Sequence, residues 1–268
     1  MKKIYLIFLI PFLFACEEVI EIDLNSSSPE IIIEANLSNS NEQSFVYITE
    51  STDFYNPNAY KTISNADVFL KDASGDSLSL DEVSPGKYQN KQFKIRQQNQ
   101  YNIEVNYKNQ KYTAASSAPN IVEVDSVGYK LESRPFNKDK KRLELHIYFK
   151  DDPDIKNYIR FVIYKNGEKI NRIFLYDDRL TNGNDIDFFF FNFDEEEEFK
   201  SGDLIEVELQ SIDEPTFTYF KTLRSALARS SGGPFGSTAP ANPTTNWTNN
   251  AFGYFSAYVF SYGSVVLE

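Results

Sequence analysis

Cys16 is the only cysteine among the 268 residues, and its surroundings suit a covalent attachment. Lys2 and Lys3 open the chain, and residues 4–14 follow without a charged or amide side chain. Ala15 then stands directly before the cysteine. This order of positive residues, apolar run and small residue is typical of a secretory signal peptide, and the run is shorter than the roughly 20 apolar residues of a membrane-spanning helix. Because a thiolate is a nucleophile, a lone cysteine at this junction indicates an attachment atom.

The tetrapeptide Leu13-Phe14-Ala15-Cys16 resembles the lipobox of bacterial lipoproteins. In that class the thiolate takes a diacylglyceryl group, a peptidase cuts before the cysteine, and the new α-amine is usually acylated as well. We therefore predict a signal peptide over residues 1–15, a covalent lipid on Cys16 and a tether over residues 16–29. Two or more acyl chains make a stable anchor, because each buried methylene contributes about 0.8 kcal/mol. The alternative is a free cysteine buried in an N-terminal core strand.

His146, the only histidine, offers little catalytic chemistry. It lies in an alternating segment with Leu145, Ile147 and Phe149 on the opposite face, so we expect a solvent-facing strand residue. A Ser-His-Asp triad would need this histidine, and the chain has no G-x-S-x-G motif. One histidine and one acylated cysteine do not make a zinc ligand set. We predict no catalytic residue and no cofactor besides the lipid on Cys16.

Carboxylates are abundant, and two of their possible uses stay open. Glycoside hydrolases need a pair of carboxylates, but among 39 acidic residues no pair stands out by its spacing. Oxygen ligands also crowd a turn around Gly183, where they can hold Ca²⁺, although the EF-hand spacing is absent. The weak calcium candidates are Asp177, Asp178, Asn182 and Asp185.

The loop predicted over residues 230–250 is the segment that we single out for ligand binding. It is rich in Gly, Pro, Ser, Thr and Asn, and loops of this length are usually functional or disordered. An exposed Trp247 ring with amides beside it can stack on a sugar ring or a peptide. The candidate ligand-binding residues are Phe235, Asn246, Trp247 and Asn249. In the alternative, the loop is pinned over one end of a sandwich, with Phe235 and Trp247 as plugs.

The charge of the chain argues against one large class of partners. Lys and Arg number 27 against 39 Asp and Glu, so the formal net charge is −12 at pH 7. Such a surface repels phosphate backbones, and we predict no nucleic-acid binding. It also gives no attraction to anionic lipid, so membrane contact must come from the acyl chains. Without a second cysteine there is no intramolecular disulfide, and stability must come from packed cores.

Short strands separated by turns dominate the first half of the chain. From Tyr101 to Tyr107 every second residue is apolar, as in a strand with one face on a core. Such strands, spaced by turn residues, indicate a β-sandwich over residues 30–117, and the segment around Gly86-Lys87-Tyr88 resembles a transthyretin-like or immunoglobulin-like module. The predicted strands span residues 31–37, 45–50, 66–71, 87–93, 101–107 and 111–114.

A second β-rich domain is predicted over residues 118–268, after a boundary rich in small residues and proline. Its predicted strands span residues 122–131, 142–149, 158–164, 170–176, 187–193 and 204–212. One helix over residues 214–229 interrupts them. Asp213 can cap it and Pro215 suits its first turn, and we expect its apolar stripe to pack on a sheet.

The chain is predicted to end in one alternating strand after the loop. The residues expected on one face of that strand are Phe252, Tyr254, Tyr258, Phe260 and Tyr262. We therefore expect a mainly β chain with two β-sandwich-like domains, the second carrying one helix.

Several short motifs occur in an order that is similar to the Gram-negative lipoproteins of domain-of-unknown-function family 4249. The resemblance covers nearly the whole chain after the lipobox. Its motifs are Ile22-Asp23, Pro29-Glu30-Ile31-Ile32-Ile33-Glu34, Asp152-Pro153 with Asn157-Tyr158, Tyr176-Asp177-Asp178-Arg179, Tyr219-Phe220-x-x-Leu223, Pro234-Phe235 and Asn249-x-x-Phe252-Gly253-Tyr254-Phe255. The family usually has glycine at Ala35 and further glycines near residues 249–252, which bears on local loop shape. Because Pro234-Phe235 belongs to the shared motifs, we favour the plug interpretation of the loop.

The resemblance implies a role at the outer membrane. Members are typically encoded beside TonB-dependent receptors, and the family offers no catalytic residue to transfer. We therefore expect a non-enzymatic outer-membrane lipoprotein that is an accessory or ligand-binding partner of such a receptor, with a glycan or a peptide as its possible ligand. The alternatives are a surface carbohydrate hydrolase with a carboxylate pair and a passive structural or adhesion protein. Whether the protein faces the cell surface or the periplasm stays open.

Overall fold

The computed structural model describes residues 29–52, 61–72, 74–75, 77–134, 137–179, 181–190, 198–230 and 242–268. The predicted signal peptide, Cys16 and Phe235 lie outside these residues. The chain is mainly β, as predicted, with one α-helix and strands in several sheets. The strands gather around two separate apolar cores, one for each half of the molecule.

The first half forms a sheet that bends back on itself. The first eight strands of this sheet are β1 (Ile31–Leu37), β2 (Phe45–Glu50), β3 (Lys61–Thr62), β4 (Asp67–Lys71), β5 (Ser77–Ser84), β6 (Lys87–Gln89), β7 (Gln100–Tyr107) and β8 (Gln110–Ser117). The strand β5 makes the bend, because its residues 77–80 pair with β4 and its residues 81–84 pair with β6. The two layers share one core, to which Ile33 and Ile48 contribute from one side and Val68 and Val105 from the other.

The second half is built from two sheets that share the second core. The elements that follow β8 along the chain are β9 (Val124–Arg134), β10 (Asn137–Lys150), β11 (Tyr158–Lys165), β12 (Glu168–Lys169), β13 (Phe174–Asp177), β14 (Asp185–Phe190), β15 (Leu204–Ser211), α1 (Glu214–Ser230), β16 (Phe252–Ala257) and β17 (Val259–Val266). One sheet of the second half has the strand order β14-β10-β9, and the other has the order β12-β11-β15-β17 with β13 beside β11. Phe161 of β11 stacks on Phe188 of β14 with ring centroids 4.3 Å apart, which joins the two sheets.

The end of the chain differs from its prediction, because the single expected strand is two strands in different sheets. β16 lies parallel to β1 in the first sheet, and β17 lies antiparallel to β15 in the second half. The chain changes sheet at Tyr258, whose backbone N–H donates to the carbonyl of Leu37 at 2.9 Å. Residues 252–257 therefore belong to the first half and not to the second domain, in which the sequence placed them.

The helix α1 begins where the sequence predicts it. Asp213 caps it, because its Oδ1 accepts the N–H of Thr216 at 3.1 Å. The other oxygen, Oδ2, accepts the hydroxyl of Ser116 at 2.7 Å and the N–H of Ser117 at 3.0 Å. The cap thus connects the helix to the end of β8. Across the described ranges, we find no helix with the length and hydropathy required to cross a membrane.

Candidate functional site

Trp247 lies inside the N-terminal core. Its side chain is 6% exposed, and its Nε1 donates to the backbone carbonyl of Ile33 at 3.0 Å. Its ring also packs near Phe255, with centroids 6.4 Å apart. A ring in this position is not available for stacking on a sugar or a peptide. Trp247 is a plug of the sandwich, as the alternative interpretation held.

Asn246 and Asn249 hold the backbone of neighbouring strands. The Nδ2 of Asn246 donates to the carbonyl of Phe255 at 2.8 Å, and its Oδ1 accepts the N–H of Phe255 at 2.9 Å. Asn249 adopts a φ of 55° and donates through Nδ2 to the carbonyl of Lys111. These contacts do not support the predicted ligand-binding role of either residue.

The first two calcium candidates already have partners within the protein. Asp178 is buried, and its Oδ2 accepts the N–H of Asn157 at 2.6 Å. The carboxylate of Asp177 accepts two hydrogen bonds from Arg179, at 2.6 and 2.9 Å. Both carboxylates are thus bonded to donors of the protein itself.

The other two calcium candidates are Asn182 and Asp185. Asn182 donates through Nδ2 to the carbonyl of Pro153 at 2.8 Å, and Asp185 is an exposed residue at the start of β14. Throughout the part of the chain that the structure describes, no group of three or more His, Cys, Asp or Glu residues is arranged to hold a metal ion. The side chains of Asn182 and Asp178 bond to the segment around Pro153, the first as a donor and the second as an acceptor, and the calcium interpretation is not supported.

His146 is buried, contrary to the prediction of a solvent-facing residue. It is 3% exposed, although it lies on the outer face of β10. The rings of Tyr148 and Phe189 stack near it, with centroids 6.0 and 5.8 Å away, and Asp187 Oδ1 lies 2.5 Å from its Nδ1. The alternation of β10 predicts the face correctly, but it does not predict the neighbours that cover that face.

A cleft of about 790 Å³ lies where the two halves of the molecule meet. Its walls are the outer faces of β1 and β16, the strands β11 and β12, and one side of α1. Ligand pockets commonly have volumes of about 300–1,000 Å³ and occur preferentially at such interfaces. A pocket of about 340 Å³ beside Phe93 and Tyr101 is less than half as large and lies within the first half alone. The cleft, which we call the inter-sandwich cleft, is therefore the candidate functional site.

Basic side chains dominate the charged lining of the inter-sandwich cleft. Arg160 comes from β11, Lys169 from β12, Arg172 from the segment that follows, and Arg224 from α1. Glu34 of β1 is the single acidic residue of this lining. The sign of the cleft is thus opposite to the formal net charge of −12 of the whole chain.

Arg160 is held in place by two contacts. The central carbon of its guanidinium lies 4.0 Å from the ring centroid of Phe220, and its Nη1 donates to Oε1 of Gln210 at 3.2 Å. Gln210 stands opposite Arg160 in the β11–β15 pair, so the sheet fixes this geometry. A guanidinium has five N–H donors, and one hydrogen bond leaves the others for a ligand.

Lys169 and Glu34 face the cleft without a partner. Within the described ranges, neither side chain makes a hydrogen bond or an ion pair. Burial lowers the pKa of Lys169 below its usual 10.5, and the charge of Arg160 lowers it further. Burial also raises the pKa of Glu34 above its usual 4.5, against the opposing charges of Lys169 and Arg160. Both side chains are exposed to the solvent of the cleft, and the surrounding walls shift the pKa of each only in the direction of its neutral form.

One side of α1 gives the cleft an apolar wall. Tyr219 and Phe220 pack against Tyr254 of β16, with ring centroids 4.7 and 4.9 Å from it. Leu223 and Leu227 continue this wall along the helix, and Leu227 is 55% exposed. The cleft therefore places basic side chains beside an apolar wall.

The inter-sandwich cleft was not predicted from the sequence. Its basic residues are separated by up to 64 positions and form no local motif, and the stripe of α1 indicated only packing on a sheet. One signal was present. Glu34, Tyr219 and Tyr254 belong to three separate motifs on which the family resemblance rests, and these motifs meet at the cleft.

Comparison with known families finds one matching model. It is described as a domain of unknown function (DUF4249), and it matches residues 17–261. A search of curated proteins finds no match.

Proposed function

The chain belongs to domain-of-unknown-function family 4249, and from this premise we propose that it is a non-enzymatic, lipid-anchored binding protein that serves a TonB-dependent receptor of the outer membrane. The observation that carries the binding role is the inter-sandwich cleft, which combines a ligand-sized volume with unpaired charges and an apolar wall. Concave sites with a few converging polar groups are the usual form of small-molecule binding sites.

The lining of the cleft favours binding over hydrolysis. Glycoside hydrolysis uses two carboxylates that flank the scissile bond, whereas Glu34 is the single carboxylate of this lining. The side chains opposite Glu34 are Arg and Lys, which hold anions and are poor general acids near neutral pH. A screen of the purified protein on glycans should therefore give no turnover. Release of reducing sugar that is lost in Glu34→Gln would favour the hydrolase instead.

The membrane anchor of the proposal rests on Cys16 and the signal-like segment before it. Cys16→Ser removes the atom that would be acylated, so the variant should not label with a palmitate analogue. It should also leave the membrane fraction, which immunoblotting of fractionated cells measures. Equal labelling of the wild type and the variant would show that the anchor is elsewhere.

The partner of the proposal is tested by a pull-down from membranes in mild detergent. The wild-type protein should recover a large β-barrel receptor, identified by mass spectrometry. Cys16→Ser is the matched control, because it keeps every described residue and loses only the membrane location. Recovery of abundant unrelated proteins by both forms would contradict a specific receptor and would favour a passive structural role.

A further inference from the structure

The proposed binding function does not identify the ligand, and the lining of the inter-sandwich cleft limits the chemical class of ligand that fits. Resting on that function, we infer that the cleft binds a small amphipathic monoanion, with one carboxylate or sulfonate group on an apolar body. The anionic group contacts Arg160 and Lys169, and the apolar body lies along the wall formed by α1 and Tyr254.

The anionic end is assigned by the state of the two cations. The guanidinium carbon of Arg160 lies over the ring of Phe220, and one of its nitrogens donates to Gln210, so N–H donors remain that match a planar or tetrahedral anion. Lys169 is not paired with any described residue, and burial disfavours its charge. An anion between the two would offset the repulsion between these cations and the loss of water around Lys169.

The apolar end is assigned by the wall along α1. The rings of Tyr219, Phe220 and Tyr254 lie 4.7 to 5.2 Å apart and are buried against one another at the base of this wall. Leu223 and Leu227 extend the apolar surface along the helix, and Leu227 is 55% exposed. An apolar ligand body therefore has a wall to contact beside the two cations.

Glu34 limits the charge of the ligand. Its carboxylate shares the cleft with Arg160 and Lys169, whose positive charges lower the pKa that burial raises. Glu34 would repel a dianion more strongly than a monoanion, and a monoanion on Arg160 and Lys169 leaves one of these two cations to balance Glu34. Removal of this carboxylate should therefore strengthen anion binding, which is opposite to the effect expected for Lys169.

Two fluorescent probes test the inference on the full chain carrying Cys16→Ser, which needs no detergent. Anilinonaphthalene sulfonate is an aromatic monoanion, and N-phenylnaphthylamine has the same rings without the sulfonate. We expect the anion to bind about tenfold or more tightly than the neutral probe, because only the anion makes charge-assisted hydrogen bonds to Arg160 and Lys169. Equal binding of the two probes would overturn the anion inference.

Three variants locate the probe. Lys169→Met should weaken the anion about tenfold and leave the neutral probe unchanged, and Glu34→Gln should strengthen the anion. Lys150→Met removes the same charge from an exposed position on β10 outside the cleft and should change neither probe. Equal effects of the two lysine substitutions would overturn the inference.

A further variant separates failure of the inference from failure of the proposed function. Leu223→Asn makes the apolar wall polar at nearly constant size and should weaken both probes. If both probes bind equally and both weaken in this variant, the cleft binds neutral ligands, so the anion inference is overturned and the binding function stands. If neither probe responds to Leu223→Asn, the inter-sandwich cleft is not a binding site and both are overturned.

Discussion

Asn246 acts as one more residue of β-strand at the edge of the first sheet. Its side-chain amide pairs with both the N–H and the carbonyl of Phe255, as a neighbouring strand would. The same Nδ2 also reaches the carbonyl of Ala115 at 3.3 Å. An amide beside the only tryptophan suggested a ligand contact in the sequence, but the structure gives it a backbone-pairing role.

Asn246→Asp tests this role at almost constant size. The new oxygen would face the carbonyl of Phe255, which then loses its donor, so we expect a loss of about 1–3 kcal/mol in the free energy of unfolding. Urea denaturation measures it, and Asn249→Asp is not a clean control because φ at Asn249 is 55°. Asn102→Asp, at an exposed position on β7, is the better comparison. An unchanged unfolding midpoint for Asn246→Asp would contradict the pairing role.

Glu34 illustrates a charge that lowers the stability of the folded protein at neutral pH. Burial raises its pKa in the folded state, so the folded protein favours the protonated form. The resulting stabilisation is fully present below the unfolded pKa near 4.5 and is lost as the pH rises through the raised value. At neutral pH the molecule therefore keeps an unfavourable charge in its cleft.

Glu34→Gln should make the protein more stable at pH 7.5, and the gain should shrink toward pH 4.5. The reason is that the wild-type carboxyl becomes neutral there and then resembles the amide. Thermal unfolding at both pH values measures the difference. Glu132→Gln, an exposed position on β9, controls for the change in net charge. A gain that is independent of pH, or one shared by Glu132→Gln, would contradict the explanation.

The parallel pairing of β1 and β16 is the element that joins the end of the chain to the first half. Gly253 stands opposite Ile33 in this pair and has a φ of 93°. A Cβ at Gly253 would lie 2.2 Å from the carbonyl oxygen of Ile33, which is also the acceptor for Trp247. Only glycine permits both the backbone conformation and this close approach.

Gly253→Ala should therefore destabilise the protein more than the same change at a matched glycine. Gly202 has a φ of 92° and no atom within 4 Å of its would-be Cβ. Backbone strain of about 1–3 kcal/mol applies to both substitutions, whereas overpacking of about 1–3 kcal/mol applies to Gly253→Ala alone. Unfolding free energies from urea titrations compare the two. Equal losses would mean that the close approach to Ile33 is relieved without cost.

The elements differ in how far the sequence predicts them. The bounds of β1 and β2 agree with their predictions, because apolar alternation stops at turn residues on each side. β5 was missed, since only Leu78 and Leu80 alternate before the acidic pair at residues 81–82. The alternation from Phe252 onward was found, but the break at Tyr258 carries no glycine or proline to mark it.

The candidate site was beyond sequence reasoning for a related reason. Periodicity gives the face of a strand, but it does not give the element that covers this face. His146 was placed on the outer face of its strand, and its cover by Phe189 was not foreseen. The inter-sandwich cleft forms only where elements of the two halves pack against each other, because Arg160 and Glu34 come from sheets of different halves.

On the scale of the whole molecule, the last part of the chain connects the two halves. Trp247 and Phe255 lie in the first core, although more than 120 residues separate them from β8. The hydrogen bond from Gln43 to Glu208, at 2.7 Å, and the cap at Asp213 also cross between the halves. A chain connected in this way should unfold in a single transition, although it has two cores.

The strongest test of this connection is to express residues 30–117, the first domain predicted from the sequence, by themselves. This fragment lacks β16, Trp247 and Phe255, and the loss of a buried Phe or Trp side chain costs about 3–5 kcal/mol. Two such losses equal most of the roughly 5–15 kcal/mol by which a typical domain is stable, so we expect the fragment to be unfolded. Adding a peptide of residues 242–258 should restore a cooperative melt, followed by circular dichroism, and the same peptide with Gly253→Ala should not. A fragment that melts cooperatively without the peptide would show that the first half folds alone, and that the return of the chain through β16 serves the cleft and not the fold.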